Sequence, residues 1–533
     1  MLIFPGLYSI IIVYNYIFHY QTIRPGRVCG RKEPDMKKSL KTGLTAVILA
    51  LLILLSAAAL SSCADSGGGT DGTTARADTD APASDSPAAT ETDYNPHVEP
   101  LDWKGEKFIV LYNGNDVEPN LDFKAEEING APLNDAVYNR NLNVQEKHKL
   151  VIEPVFDSDS NISTKVSNTI KSGDLIAHLV EANQTYSMTM AINGGLRTLD
   201  ELTGIDMSKP YWYDSFLAGS SIKHKNYFAY SDANVHAVGA TPCTIFNKTV
   251  HQSFSLDNIY TLVDEGAWTF EKMSEMVKAV TGDITGDQKI TKDDRLGMIA
   301  NTFCIDCFVS GSGHMMVIKD DNDMPTLNII NEAFFNIVEG IQNLCSEENG
   351  MFLVDRTSTA TEAREYWTEQ AITSDRALFW IGNFKCVERL RGSPSDFGVV
   401  PIPKANADQK DYKIHMQANI GAAMSVPVST PDEDEVSMIL EDIAYESYLT
   451  VMPAYMEILI QGQSIRDVES LKCIKIIRAS YYCDMGFMLG SYGISVLGNC
   501  RSIVKDNSEI VSTLTKAASN YERSLKNLNK KLN

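Results

Sequence analysis

Positive charge is scarce in this sequence. Across 533 residues, 47 Lys and Arg face 69 Asp and Glu, a formal net charge of −22. Residues 1–62 hold seven of the basic residues and two of the acidic ones, so the rest of the chain has 40 against 67, a net of about −27. A field of that sign repels phosphate backbones and argues against nucleic-acid binding. A neutral or cationic ligand is easier to reconcile with it than an anionic one. Catalytic signatures are missing too. The sequence has no G-x-S-x-G, no H-E-x-x-H and no P-loop, and none of its many acids stands in a motif that marks a nucleophile or proton donor. Its ten cysteines are scattered rather than packed as in a small disulfide scaffold. Cys304-Ile-Asp-Cys307 is a C-x-x-C without a second pair at zinc-ribbon spacing, and the flanking Phe303 and Phe308 favour two packed thiols over redox or metal chemistry. Internal repeats are also missing.

The length calls for two or three core-forming units, and 44% hydrophobic with 22% charged residues is a globular balance. Three segments stand outside that body. Met36 is followed by Lys37, Lys38 and Lys41, an apolar run from Gly43 to Leu55, and then small residues up to Leu60-Ser-Ser-Cys63. A basic start, an apolar middle and a small-residue end are the parts of a signal peptide, read here over 36–62. Leu-Ser-Ser-Cys resembles the bacterial lipobox, which implies cleavage before Cys63 and diacylation of its sulfur. A transmembrane helix with a chance cysteine is the plainer alternative. Residues 1–35 precede that start. Arg31-Lys-Glu33 can be encoded by a purine run resembling a ribosome-binding site at a suitable distance from Met36, so 1–35 reads as an untranslated leader; a first membrane helix from Leu2 to Tyr20 is the alternative. Residues 63–100, rich in Gly, Ser, Thr, Asp, Ala and Pro without apolar periodicity, read as a disordered tether. Two acyl chains on one cysteine suffice for stable anchoring.

From Trp103 onward, short apolar runs alternate with helical patterns. Phe108–Leu111 reads as a strand ending in the polar loop Asn113-Gly-Asn-Asp116; Leu133, Ala136, Val137 and Val144 share a helix face that Pro132 can start; Val151, Ile152 and Val155 give a second strand, and Ile176–Val180 a third, ending in Glu181-Ala-Asn183. That alternation predicts an α/β layer with helices on both faces and ligands beyond the strand ends. Further on, Thr269 is a candidate N-cap for a helix bearing Met273, Met276, Val277 and Val280. Ala377–Trp380 and Phe397–Pro401 read as strands. Asp432–Asp434 sit at the start of a helix bearing Val436, Ile439, Leu440 and Ile443. The chain closes on an amphipathic helix through Leu514, Tyr521, Leu525 and Leu528, with Asp506 and Glu509 as candidate caps.

Several fragments resemble, in order and spacing, the extracellular solute-binding proteins, family 1, of carbohydrate ABC transporters. They are Asp135-Ala-Val-Tyr-Asn-Arg140, Leu202–Trp212 (LTGIDMSKPYW), Phe246-Asn-Lys248, Gly266-Ala-Trp-Thr269 and Phe397-Gly-Val-Val-Pro-Ile-Pro403. The similarity covers nearly all of residues 100–533. It implies an α/β, two-lobed, type II periplasmic-binding-protein-like fold with a hinge and an interlobe ligand cleft. On this template 101–240 is the first part of lobe 1, 241–376 is lobe 2, 377–430 returns to lobe 1, and 431–533 is a set of C-terminal helices spanning both. The implied function is capture of a sugar outside the cell and delivery to an ABC permease, by a monomer held at the extracellular face of the membrane. A secreted glycan-active enzyme, or a binder feeding a sensor, remains an alternative.

Sugars stack their C–H faces on aromatic rings and present hydroxyls to fixed donors and acceptors. Asn113, Asn115, Asp116, Glu181, Asn183 and Asn383 are the polar candidates, and Trp212, Tyr213 and Trp380 the stacking ones, with Trp367 and Tyr482 behind them. A sharper pattern is Asp283-Ile-Thr-Gly-Asp-Gln-Lys-Ile-Thr-Lys-Asp-Asp294, which follows an EF-hand loop: Asp283, Thr285, Asp287, Thr291 and Asp294 at positions 1, 3, 5, 9 and 12, and the Lys289 carbonyl at position 7. Gln288 replaces the glycine of position 6, Thr285 an acid and Asp294 the bidentate Glu, so calcium binding is expected to be weakened.

Overall fold

Apolar side chains in β1, Lys107–Tyr112, alternate between two cores: Phe108, Val110 and Tyr112 face one, and Leu111 the other. The computed structural model describes residues 93–114, 120–354, 368–461 and 468–532; the leader, the signal segment, Cys63 and nearly all of the tether lie outside them. β1 pairs in parallel with β2 (Val151–Phe156) and β3 (Leu179–Asn183), and β3 pairs antiparallel with β11 (Ala422–Ser425), giving the order β11–β3–β1–β2. The helices Pro132–His148 and Glu433–Glu446 bury Val144, Val436, Ile439, Leu440 and Ile443 on one side of this sheet. Asp159–Ser172 and Gln184–Ile192 bury Ile162, Val166, Met188 and Met190 on the other.

A second, five-stranded sheet runs β10–β4–β9–β5–β8, from Phe397–Val400 (β10), Pro242–Asn247 (β4), Ala377–Asn383 (β9), Leu296–Ala300 (β5) and Met351–Leu353 (β8). A small hairpin, β6 (Val317–Lys319) with β7 (Pro325–Leu327), stands beside it. The expected helix over 270–280 forms, with the Thr269 hydroxyl accepting from Lys272 N–H and Met273, Met276, Val277 and Val280 buried. Glu509 caps the helix Ile510–Leu532, while Asp506 closes the helix before it. Among the described residues, no helix is long and apolar enough to cross a membrane.

The boundary drawn at 377 is corrected. β9 pairs with β4 and β5, and β10 with β4, so both belong to the second sheet; the chain regains the first sheet only at β11. Fully buried apolar strands carry no mark of which sheet they join. Three segments cross between the sheets: from Ala229, which bridges Met424, to β4; from Ile414 to β11; and from the helix ending at Glu446, through Ser447–Val451, into Met452–Gln461.

Charge is buried where crossings meet the first sheet. Asp122, Arg140 and Glu181 are all fully buried. Arg140 donates to Ser447 Oγ (2.8 Å), Asn141 Oδ1 (2.8 Å) and the Asp122 carbonyl. Glu181 accepts from Asn234 (2.8 Å) and Asn120 (3.4 Å), and Asp122 Oδ1 accepts from His236 N–H at 2.8 Å. Burial pushes the Asp122 carboxyl up to about 7, against the pull of the His236 N–H, Lys385 and Arg140. The same desolvation, with the Asp122 charge beside it, raises Glu181 well above the ordinary range. A raised carboxyl holds a proton the unfolded chain has released, so its contribution falls as pH rises. The advantage of wild type over Asp122→Asn in urea unfolding should shrink by about 1.4 kcal/mol per pH unit from roughly pH 4 to roughly pH 7. Parallel curves for the two proteins across that range would show the assignment to be wrong.

Candidate functional site

Strand β9 ends against the second crossing, and between them lies a cavity of about 240 Å³. Trp380 and Asn383 come from β9, Asn301 and Phe303 follow β5, Asp306 and Ser310 come from the helix Phe303–Gly311, and His415–Ile420 form the crossing wall; Phe487 and Leu497 close the floor. The last residue of β9 turns its side chain onto the following helix: Asn383 Oδ1 accepts Cys386 N–H at 3.0 Å. Arg501 forks onto Asp306, its Nε 2.8 Å from Oδ1 and its second nitrogen on Oδ2. Burial raises the Asp306 carboxyl, and this guanidinium pulls it back down. No lysine or arginine lines the cavity among the described residues, and Asp306 is its one acid.

The first sheet meets this cavity through its crossing wall. Asn183 Nδ2 donates to the Asn419 carbonyl (3.4 Å), Thr185 Oγ1 to Asn419 Oδ1 (3.2 Å) and Gln184 Nε2 to the Met416 carbonyl (3.3 Å). Asp159 fastens the strand ends behind them: it accepts both Asn113 Nδ2 (2.9 and 3.0 Å) and the N–H and Nδ2 of Asn183 (2.7 and 3.0 Å).

Of the residues proposed from sequence, Trp380 and Asn383 line the cavity, and Asn113 and Asn183 are drawn together at Asp159 beside it. Asn115, Asp116 and Trp367 lie outside the described residues. Glu181 is inside β3 rather than in a loop beyond it, and its carboxyl is spent on the buried cluster. Trp212 is packed in the first lobe's core, with Nε1 donating to Glu441 Oε2 at 2.9 Å, and the Tyr213 hydroxyl donates to Asp232 Oδ1 at 2.8 Å; neither lines the cavity. Tyr482 donates to the Ser310 carbonyl at 3.0 Å. Sequence reasoning missed Asp306, His415, Gln417 and Phe487. Only the position of Asp306, between two cysteines on an apolar helix face, offered a signal.

The acidic loop draws its carboxylates together. Carboxylate oxygens of Asp283, Asp287 and Asp294 lie within 4.8 Å of one another. Gln288, at the position that calls for glycine, has φ 64°, and Gly286 has φ 78°. Asp283 accepts Gly286 N–H (2.6 Å), Gln288 N–H (2.7 Å) and the Thr285 hydroxyl (3.1 Å); Asp287 accepts Lys289 N–H (2.9 Å); Asp294 accepts Ile284, Thr285 and Thr291 N–H and the Thr291 hydroxyl at 2.8–3.1 Å. Burial would raise Asp294, but these donors outweigh it and hold its carboxyl below the usual range. All-oxygen donors with ionised carboxylates fit a hard cation.

No protein-family model and no curated protein matches the sequence. Solved structures do match. The sugar-binding protein MalE of Xanthomonas citri is 9% identical with a TM-score of 0.54, covering 79% of this chain and 98% of that one. The GacH receptor of Streptomyces glaucescens, determined unliganded and with acarbose, is 12% identical with a TM-score of 0.53, covering 79% and 99%. UgpB of Mycobacterium tuberculosis, in complex with glycerophosphocholine, is 16% identical with a TM-score of 0.51, covering 74% and 95%. Likeness at this identity establishes the fold: the α/β, two-lobed architecture of solute-binding proteins, with its hinge and interlobe cleft.

Proposed function

We propose that this chain is a carbohydrate-binding member of the family 1 solute-binding proteins. On this reading it is tied to the outer face of the membrane by a diacylated Cys63, takes a neutral sugar into the cleft, and hands it to an ABC permease without altering it. The observation that carries the ligand class is the cavity wall: Trp380 and Phe487 beside the amides of Asn301, Asn383 and Gln417, with no lysine or arginine among the described residues. Aromatic faces and planar amides suit hydroxylated rings, and a phosphate would lack a cation there. MalE is named as a sugar-binding protein and GacH was determined with acarbose, which supports the same reading. Glycan hydrolysis is the rival, and it needs a pair of working carboxylates; among the described residues Asp306, paired with Arg501, is the one acid in the lining.

Incubation of the form lacking residues 1–62 with maltotetraose, cellotetraose, xylotetraose, raffinose and glycerophosphocholine tests this. At least one neutral sugar should raise the melting temperature and be recovered intact, and Trp380→Ala should lose the shift. Cleaved sugar, or a shift with glycerophosphocholine alone, overturns it. The anchor has its own readout: cells fed labelled palmitate should label the wild type and not Cys63→Ser. Label surviving that substitution would remove the anchor.

The loop Asp283–Asp294 is also proposed to hold a structural calcium ion, with side-chain oxygens of Asp283, Thr285, Asp287, Thr291 and Asp294 and the Lys289 carbonyl as donors. Calorimetric titration with calcium should give a saturable heat that Asp283→Ala/Asp287→Ala abolishes. Indistinguishable traces would remove the site.

A further inference from the structure

The second crossing carries His415 and Gln417 into the cavity wall. Both are buried, and each keeps one polar atom without a partner: His415 Nε2 and Gln417 Oε1. The His415 tautomer is set by its neighbour. Nδ1 lies 2.5 Å from the Met416 carbonyl oxygen, which can only accept, so Nδ1 carries the proton and Nε2 the lone pair. Burial pulls the imidazole down to about 4, against the carbonyl bond, and leaves the ring neutral at pH 7. Its orientation is fixed as well. The ring stacks on Phe487 at 4.2 Å and 16°, Tyr482 meets it edge-on at 6.0 Å, and the backbone N–H donates to Ser310 Oγ at 2.5 Å.

Buried acceptors without donors are costly, and both lack the same thing. Building on the reading that this cleft takes a neutral sugar, we infer that His415 Nε2 and Gln417 Oε1 are the acceptors that select the solute by its hydroxyl donors. A site that accepts hydrogen bonds rejects an analogue lacking the matching hydroxyl far more strongly than an apolar wall rejects an extra one. His415 is then a specificity residue, held by Met416 for donation on one side and by the lone pair for recognition on the other.

The test uses ¹⁵N spectra of the histidine side chains together with calorimetry of maltotetraose, cellotetraose, xylotetraose and raffinose. His415→Phe keeps the stack on Phe487 and removes the acceptor; His415→Gln returns an acceptor at similar reach. For any sugar the wild type binds, His415→Phe and Gln417→Leu should weaken affinity about tenfold, His415→Gln should stay within about threefold, and the wild-type Nε2 resonance should move on binding. A sugar bound by wild type that leaves Nε2 unmoved and binds His415→Phe as well as wild type overturns the assignment while the binder reading stands. Binding of none of the four overturns the sugar reading and this assignment with it. A protonated Nε2 in the sugar-free protein overturns the assignment alone, and needs no variant.

Discussion

A guanidinium with no access to solvent decides how the halves of this protein are joined. Arg140 stands on the first long helix, yet its donors reach the Asp122 carbonyl and Ser447, the residue at which the third crossing begins. Asp122 in turn holds the N–H of His236 in the first crossing, and Glu181, in the central part of the first sheet, holds Asn234 just before it. Two of the three crossings are therefore seated on one buried charge cluster. Removing one member of such a cluster typically costs about 3–5 kcal/mol, because the remaining charges cannot return to water. An apolar replacement could match that stability, but it would not fix the direction in which each crossing leaves the sheet. Polar seating of this kind fixes the root of each crossing on the first sheet.

The pair of carboxyls in that cluster also explains the uneven use of acids in the chain. With a net of −22, acids are abundant, and most can remain solvated at the surface. Asp122, Asp484 and Glu181 are different: each is buried, and burial raises each one. Asp484 accepts the N–H groups of Met316, Val317 and Gly486, tying the β6–β7 hairpin to the segment that supplies Phe487 to the cavity floor. Asp484 thus fastens the segment that borders the cavity.

What the sequence could reveal follows from what each element depends on. Periodicity and capping are local, so the helices at 132, 270 and 433 and the strands at 107, 151, 377 and 397 were legible. Sheet membership is not local. Ala377–Asn383 is apolar on both faces, and nothing in such a run distinguishes return to the first sheet from insertion into the middle of the second. Glu181 misled for a related reason: an acid and an asparagine after Leu179-Val180 look like a loop, whereas the strand continues and buries the carboxyl against Asn234. The aromatics divide by their polar ends. Trp212 is anchored in the core by Glu441, an acid from a helix more than 200 residues later, and no local pattern could anticipate that bond. The wall His415–Ile420 has no periodicity at all, because its conformation is dictated by the two sheets it connects.

Charge and recognition are separated in this molecule. The long-range field is strongly negative, but the described cavity wall contains one carboxyl, and Arg501 neutralises it. A field of that sign disfavours an approaching anion before any contact with the wall. On the proposed reading, a neutral solute is sorted by hydrogen bonds and ring faces once inside. On that reading, selectivity against charge and selectivity among neutral molecules fall to different parts of the structure. Surface acids can change without altering which groups face the cavity, whereas a one-residue shift along His415–Ile420 would move its acceptors away from it.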